Sequence, residues 1–197
     1  MRICAFVLVA LLCGHALAQQ WSGPYLVSES LGGIKPATCK DWLSLGDYQT
    51  CVVWQYFNGT SWTLASRTYH FPYGWWGPEP VAWGEEAVNP SLAGVPDPWG
   101  SPDYCCVWEH RDDTCGVIYS ATRMFEMWQD VMYIGECINT DGDSARPSVV
   151  VISNGSHDDT AWAAWTNHDS AGVNRNLRLC FTVRNAQNGM TPASVNR

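Results

Sequence analysis

The chain has 197 residues, room for one domain or for a few repeated units around one core at roughly 100–200 residues per domain. Eleven lysines and arginines against 19 aspartates and glutamates leave a net charge of −8, a balance that repels nucleic-acid phosphates and anionic lipid and argues against either as a partner. Charged residues are only 15% of the chain, below the roughly 25% of a typical soluble protein, and 12 tryptophans, 17 glycines and 11 prolines favour an all-β, turn-rich fold over a helical one.

Met1-Arg2 is a positive start, Ile3 to Leu12 an apolar run too short to span a bilayer, and Ala16-Leu17-Ala18 a small-x-small cleavage site. Residues 1–18 therefore read as a secretory signal peptide, and no later stretch is long and apolar enough to be a membrane anchor. The mature part, 19–197, keeps seven cysteines: Cys39, Cys51, Cys105, Cys106, Cys115, Cys137 and Cys180. Export permits disulfides, and an odd count leaves at least one cysteine unpaired. The spacings lack the Cys-x-x-Cys pairs of a structural zinc site, so no metal and no other cofactor is expected.

The first unit opens with Trp21-Ser22-Gly23-Pro24 and Val27. Pro36-Ala37 and the strand Cys51-Val52-Val53-Trp54 follow, and the turn signal Asn58-Gly59 then leads to another strand at Leu64–Arg67. A hairpin joining the Pro36 and Trp54 strands sets Cys39, three residues after the proline, near Cys51, three before the tryptophan, and so predicts a Cys39–Cys51 disulfide. Trp75-Trp76-Gly77-Pro78 and Val81 restate the opening pattern 54 residues later. Pro90-Ser91, Cys105-Cys106-Val107-Trp108 and Val117–Ser120 restate the rest. A third copy keeps Trp128, Val131, Pro147-Ser148, Trp162-Ala163-Ala164-Trp165 and Leu177–Cys180, and Pro192-x-x-Val195 starts the pattern once more. Trp54, Trp108 and Trp165 lie 54 and 57 residues apart, each 18 residues after its proline. The repeat boundaries fall at about 21–74, 75–127 and 128–189, with the start of a further repeat at 190–197.

Each unit offers about four short antiparallel strands, the size of a β-propeller blade. On Pro147-Ser148-Val149-Val150-Val151 leading to Ala163-Ala164-Trp165, and on Pro90-Ser91-Leu92 leading to Val107-Trp108-Glu109, the chain resembles the blade repeats of the sialidase-like, BNR-repeat propellers. The resemblance implies an all-β fold of about three propeller-type blades, an incomplete or open propeller. A single disulfide-stapled β-sandwich also has short strands and regular turns, but it does not require the same proline-to-tryptophan offset three times.

The resemblance does not extend to catalytic residues, and none is assigned. Sialidase-type chemistry needs an arginine cluster, whereas Arg67, Arg123 and Arg184 recur near the ends of strands, which suits a structural role. Trp54, Trp108 and Trp165 are expected as core residues between blades. Trp62, Trp75, Trp76, Trp83 and Trp99 sit near turns or in a Gly/Pro-rich linker and are the candidates for stacking on sugar rings. The sequence thus predicts a secreted binding or scaffolding module whose partner is carbohydrate or another extracellular protein, with self-association through open blade faces. The alternatives are part of a sialidase-like or other glycoside hydrolase propeller, and a truncated gene product without independent function.

Overall fold

The computed structural model describes residues 27–28, 32–42, 48–70, 72–82, 86–95, 103–111, 116–124, 127–135, 143–152, 160–168, 175–185 and 189–194. Twelve strands and no helix occur among them. The first sheet joins β1 (Ile34–Trp42), β2 (Tyr48–Phe57), β3 (Trp62–His70) and β4 (Gly74–Pro80). The second joins β5 (Ala87–Val95), β6 (Asp103–Arg111), β7 (Gly116–Met124) and β8 (Met127–Gly135). The third joins β9 (Asp143–Ile152), β10 (Thr160–His168), β11 (Arg175–Asn185) and β12 (Gly189–Ser194). Every pairing is antiparallel between chain neighbours, so each sheet is an up-and-down meander.

The sheets group the strands one position later than the repeat boundaries read from sequence. Trp75–Pro80 ends the first sheet as β4 instead of opening the second unit, and Pro192 lies in β12, the last strand of the third sheet, instead of beginning a fourth. A repeat has no intrinsic start, and only strand pairing says which copy a boundary strand joins.

Period-two alternation gives every middle strand two working faces. Tyr104, Cys106 and Trp108 of β6 pack with Cys51, Val53 and Leu64 of the first sheet. Cys105 and Val107, on the other face of β6, pack with Ala161, Ala163 and Trp165 of the third. The first strands β1, β5 and β9 approach one another in turn, with β5 adjacent to both others. A Cβ on Gly94 of β5 would lie 3.0 Å from Cys39 Sγ and 3.2 Å from the Tyr104 ring, so the absence of a side chain there lets β1 and β5 approach.

Trp54, Trp108 and Trp165 are 3%, 0% and 6% exposed. Trp108 faces the first sheet and Trp165 the second. Trp54 packs with Val52, Ala65, Tyr56, Trp75 and Val27, away from the second sheet. Each indole thus looks back along the chain.

Cys39 and Cys51 are direct cross-strand partners, as the hairpin argument expects, but both are thiols here and the expected disulfide is not formed. Register alone places the two backbones opposite; a bond also requires the sulfurs to turn toward each other. Cys39 Sγ also lies close to Gly94 of β5. Cys115 and Cys137 lie outside the described residues, as does the segment 1–18.

The Asn58-Gly59 turn also differs from a two-residue hairpin. Residues 58–61 form the loop, and of the pair only Gly59 has positive φ, 104°. Asn58 works through its side chain, Oδ1 accepting from Thr60 N at 2.9 Å, Thr60 Oγ1 at 2.8 Å and Ser61 N at 2.9 Å.

Candidate functional site

Of the five tryptophans singled out as sugar-stacking candidates, Trp83 and Trp99 lie outside the described residues. The other three fall on the first sheet but at opposite ends. Trp62 starts β3 opposite Phe57, their rings 5.5 Å apart and edge-on, and is half-buried. Trp75 and Trp76 start β4 and pair with the far end of β3, at Tyr69 and Thr68. Trp62 is therefore not part of their site.

The β3–β4 hairpin is closed by the pair His70–Gly74, with Gly74 at φ 101°, a conformation a β-carbon would strain. At its tip Tyr73 is 81% exposed. Trp75 and Trp76, being consecutive, point to opposite faces of the sheet. Trp75 meets Tyr69 edge-on at 5.3 Å and is half-buried. Trp76 lies parallel to His70 at 4.1 Å, and 40% of it remains exposed. His70 is itself 7% exposed, and its Nδ1 accepts from Gln49 Nε2 at 2.8 Å. A buried, hydrogen-bonded imidazole thus supports an indole that still reaches solvent, beside an exposed phenol. Such rings bring contact area at little conformational cost, because packing has already fixed them.

A second polar feature recurs where the sheets meet. Lys35, Asn89 and Arg146 have φ of 47°, 53° and 54°, and they are the only non-glycine residues with positive φ among those described. Each immediately precedes the aligned proline, Pro36, Pro90 or Pro147, and each sits in a one-residue bulge against the tryptophan strand. The bulge turns a backbone N–H toward the preceding sheet. Asn89 N donates to Gln55 Oε1 at 3.3 Å, and Arg146 N donates to Glu109 Oε2 at 3.4 Å. Gln55 and Glu109 each follow the core tryptophan by one residue, so one device joins first to second sheet and second to third.

Glu109 is fully buried, and the same Oε2 accepts from Asn89 Nδ2 at 2.7 Å while Oε1 pairs with Arg111 Nε. Lys35 Nζ extends the chain by donating to Asn89 Oδ1 at 2.6 Å. Both carboxylate oxygens are engaged, which makes Glu109 an anchor between sheets. The repeated Pro and Trp were visible in sequence, but their polar neighbours were not singled out; the signal was a polar residue directly before each proline.

The recurring arginines are structural where they are described. Arg123, 1% exposed, pairs from β7 with both oxygens of Glu79 on β4 at 3.3 Å, bridging two sheets. Arg67 donates to the carbonyls of Val27 and Gly77, each at 3.3 Å. Among the described residues no three His, Cys, Asp or Glu side chains gather into a group able to hold a metal ion. Comparison with known proteins finds no family model, curated protein or solved structure that matches this chain.

Proposed function

We propose that this chain is a secreted, propeller-type binding module that contacts carbohydrate through the aromatic hairpin between β3 and β4. The observation that carries the reading is Trp76, 40% exposed although stacked on the buried His70, beside Tyr73 at 81% exposure. The solvent-facing part of this indole is an apolar platform onto which the C–H face of a sugar ring can stack. The blade reading is supported by three four-stranded meanders whose first strands adjoin and whose tryptophans look back along the chain. The export reading rests on residues 1–18.

Titration of the mature protein with a panel of neutral and acidic oligosaccharides, followed by calorimetry and tryptophan fluorescence, tests the proposal. Trp76→Ala is expected to weaken binding at least about tenfold, equivalent to about 1.4 kcal/mol, while Trp62→Ala at the other end of the sheet leaves it unchanged. Equal affinities for the Trp76→Ala and unaltered proteins, or release of cleaved sugar in place of simple binding, would overturn it.

A further inference from the structure

The loop between β2 and β3 carries the triplet Asn58-Gly59-Thr60, an asparagine followed two residues on by a hydroxyl, which is the pattern that accepts an N-linked oligosaccharide in exported chains. A folded protein carries a glycan only where the asparagine stays in solvent. Here the strands bring the triplet to a tip: β2 ends at Phe57, itself 51% exposed, β3 starts at Trp62, and Asn58, Gly59 and Thr60 are all exposed. A Cβ on Gly59 would meet nothing within 4 Å, so the centre of the triplet faces open space.

The hydrogen bonds of the turn suit the same chemistry. Asn58 Oδ1 accepts from Thr60 N at 2.9 Å, from Thr60 Oγ1 at 2.8 Å and from Ser61 N at 2.9 Å, so the hydroxyl is already held against the acceptor amide. All three bonds go to the carbonyl oxygen, which is kept when the amide nitrogen is substituted. Only Nδ2, which donates to Ser61 Oγ at 3.3 Å, would change. The turn can therefore persist with a sugar attached, because the atom modified is the one that shapes it least.

We infer that Asn58 is an N-glycosylation site. Its Nδ2 attacks the anomeric carbon of an oligosaccharide carried on a lipid diphosphate. The C–N bond forms, the C–O bond to the diphosphate breaks with its electron pair leaving on the lipid diphosphate, and the displaced amide proton passes to a base of the transferring enzyme. The inference rests on the export reading of residues 1–18, because the donor meets a chain as it is exported. It is separate from the sugar-binding proposal: β3 is nine residues long, which puts Asn58 about 26 Å from the β3–β4 hairpin at roughly 3.3 Å per residue.

Two forms of the full chain expressed in cultured animal cells test the inference, one with its own residues 1–18 and one with those residues replaced by an established export signal. Secreted protein is treated with an N-glycan amidase in heavy-oxygen water and mapped by mass spectrometry. Asn58 is expected as labelled aspartate in the treated sample alone, with a matching fall in intact mass. Thr60→Val, which keeps the branched shape and removes the hydroxyl, should abolish occupancy, Thr60→Ser should reduce it, and Ser61→Ala, which leaves the triplet whole, should retain it. A glycan at Asn58 only on the form with the replaced signal upholds the site and sinks the export reading. Secreted, folded protein of that form with Asn58 unmodified, or occupancy unchanged in Thr60→Val, would overturn the inference.

Discussion

Cys51 and Cys105 are thiols whose ionisation is opposed first by burial, which pushes each from an ordinary 9.0 up to about 12; Arg123 near Cys51 pulls the other way and does not prevail. Burial raises Cys106 as well. The consequence has a definite sign. Below pH 9 folded and unfolded chains both keep these protons, and stability is unaffected. Between about 9 and 12 the unfolded chain loses protons that the folded chain retains, so stability falls by about 1.4 kcal/mol per pH unit for each such thiol. Denaturant midpoints measured from pH 8 to 11 should drop accordingly, and Cys51→Ala should flatten the slope. For the same reason Cys51 and Cys105 should resist iodoacetamide in the native protein at pH 8 and react once it is unfolded, as read by mass spectrometry. Trp108 is the most enclosed of the three repeated indoles, stacked on Tyr119 at 6.0 Å and fully buried. Trp108→Ala should cost about 3–5 kcal/mol, a large share of the roughly 5–15 kcal/mol typical of a whole domain, measurable as a lowered urea midpoint.

At the scale of the strand, the bulges before Pro36, Pro90 and Pro147 trade local strain for contacts between sheets. A left-handed conformation costs a side-chain-bearing residue roughly 1–2 kcal/mol, and it is held at Asn89 by hydrogen bonds to Gln55 and Glu109. Arg146 uses only its backbone N–H toward Glu109, and its side chain is exposed. Arg146→Gly should therefore leave stability unchanged or raise it by up to about 1 kcal/mol, since glycine adopts φ 54° without strain. Asn89→Gly removes the amide that ties Lys35 to Glu109 and should destabilise by about 1–3 kcal/mol despite the same relief of strain. In thermal melts Asn89→Gly is expected to lower the midpoint and Arg146→Gly to leave it unchanged or raise it. Gly33 marks a second constraint beside the first bulge: a Cβ there would lie 2.4 Å from the Trp54 ring, so Gly33→Ala displaces the indole.

Across the whole molecule the sheets are joined by apolar faces, by the repeated amide-to-carboxyl bonds, and by polar links between neighbours. Trp128 Nε1 on β8 donates to Ser66 Oγ on β3 at 2.7 Å, and Val149 N on β9 donates to Ser91 Oγ on β5 at 3.2 Å. The Arg123–Glu79 bridge is the strongest of these by chemistry, because a 1% exposed guanidinium regains little water when a charged partner is removed. Glu79 is 31% exposed, so part of the penalty is screened. Glu79→Gln should cost roughly 2–4 kcal/mol in chemical denaturation, and Glu79→Asp, which keeps the charge, clearly less.

The repeated proline and tryptophan at one offset were enough to read an all-β fold of short antiparallel strands, because side-chain periodicity and turn residues act over a few positions of chain; Trp108 and Trp165 are buried between sheets, whereas Trp54 is buried on the first sheet's outer face. Cys39 opposite Cys51 followed from the same hairpin geometry. Pairing over longer distances was not legible. Whether Trp75–Pro80 ends one sheet or begins the next depends on hydrogen bonds to Ala65–His70, which no local pattern encodes. That Trp76 stays partly in water while Trp75 packs against Tyr69 depends on which face of β4 meets the core. The side chain of Glu109, fully buried, is tolerable because Arg111, two residues on in the same strand, is joined by Asn89 and the Arg146 N–H, which strand pairing and sheet packing bring to it. Local composition determined the strands and their repeating core, whereas the cost of burying polar groups, met largely by partners distant in sequence, decided how the sheets face one another and which aromatic rings remain outside.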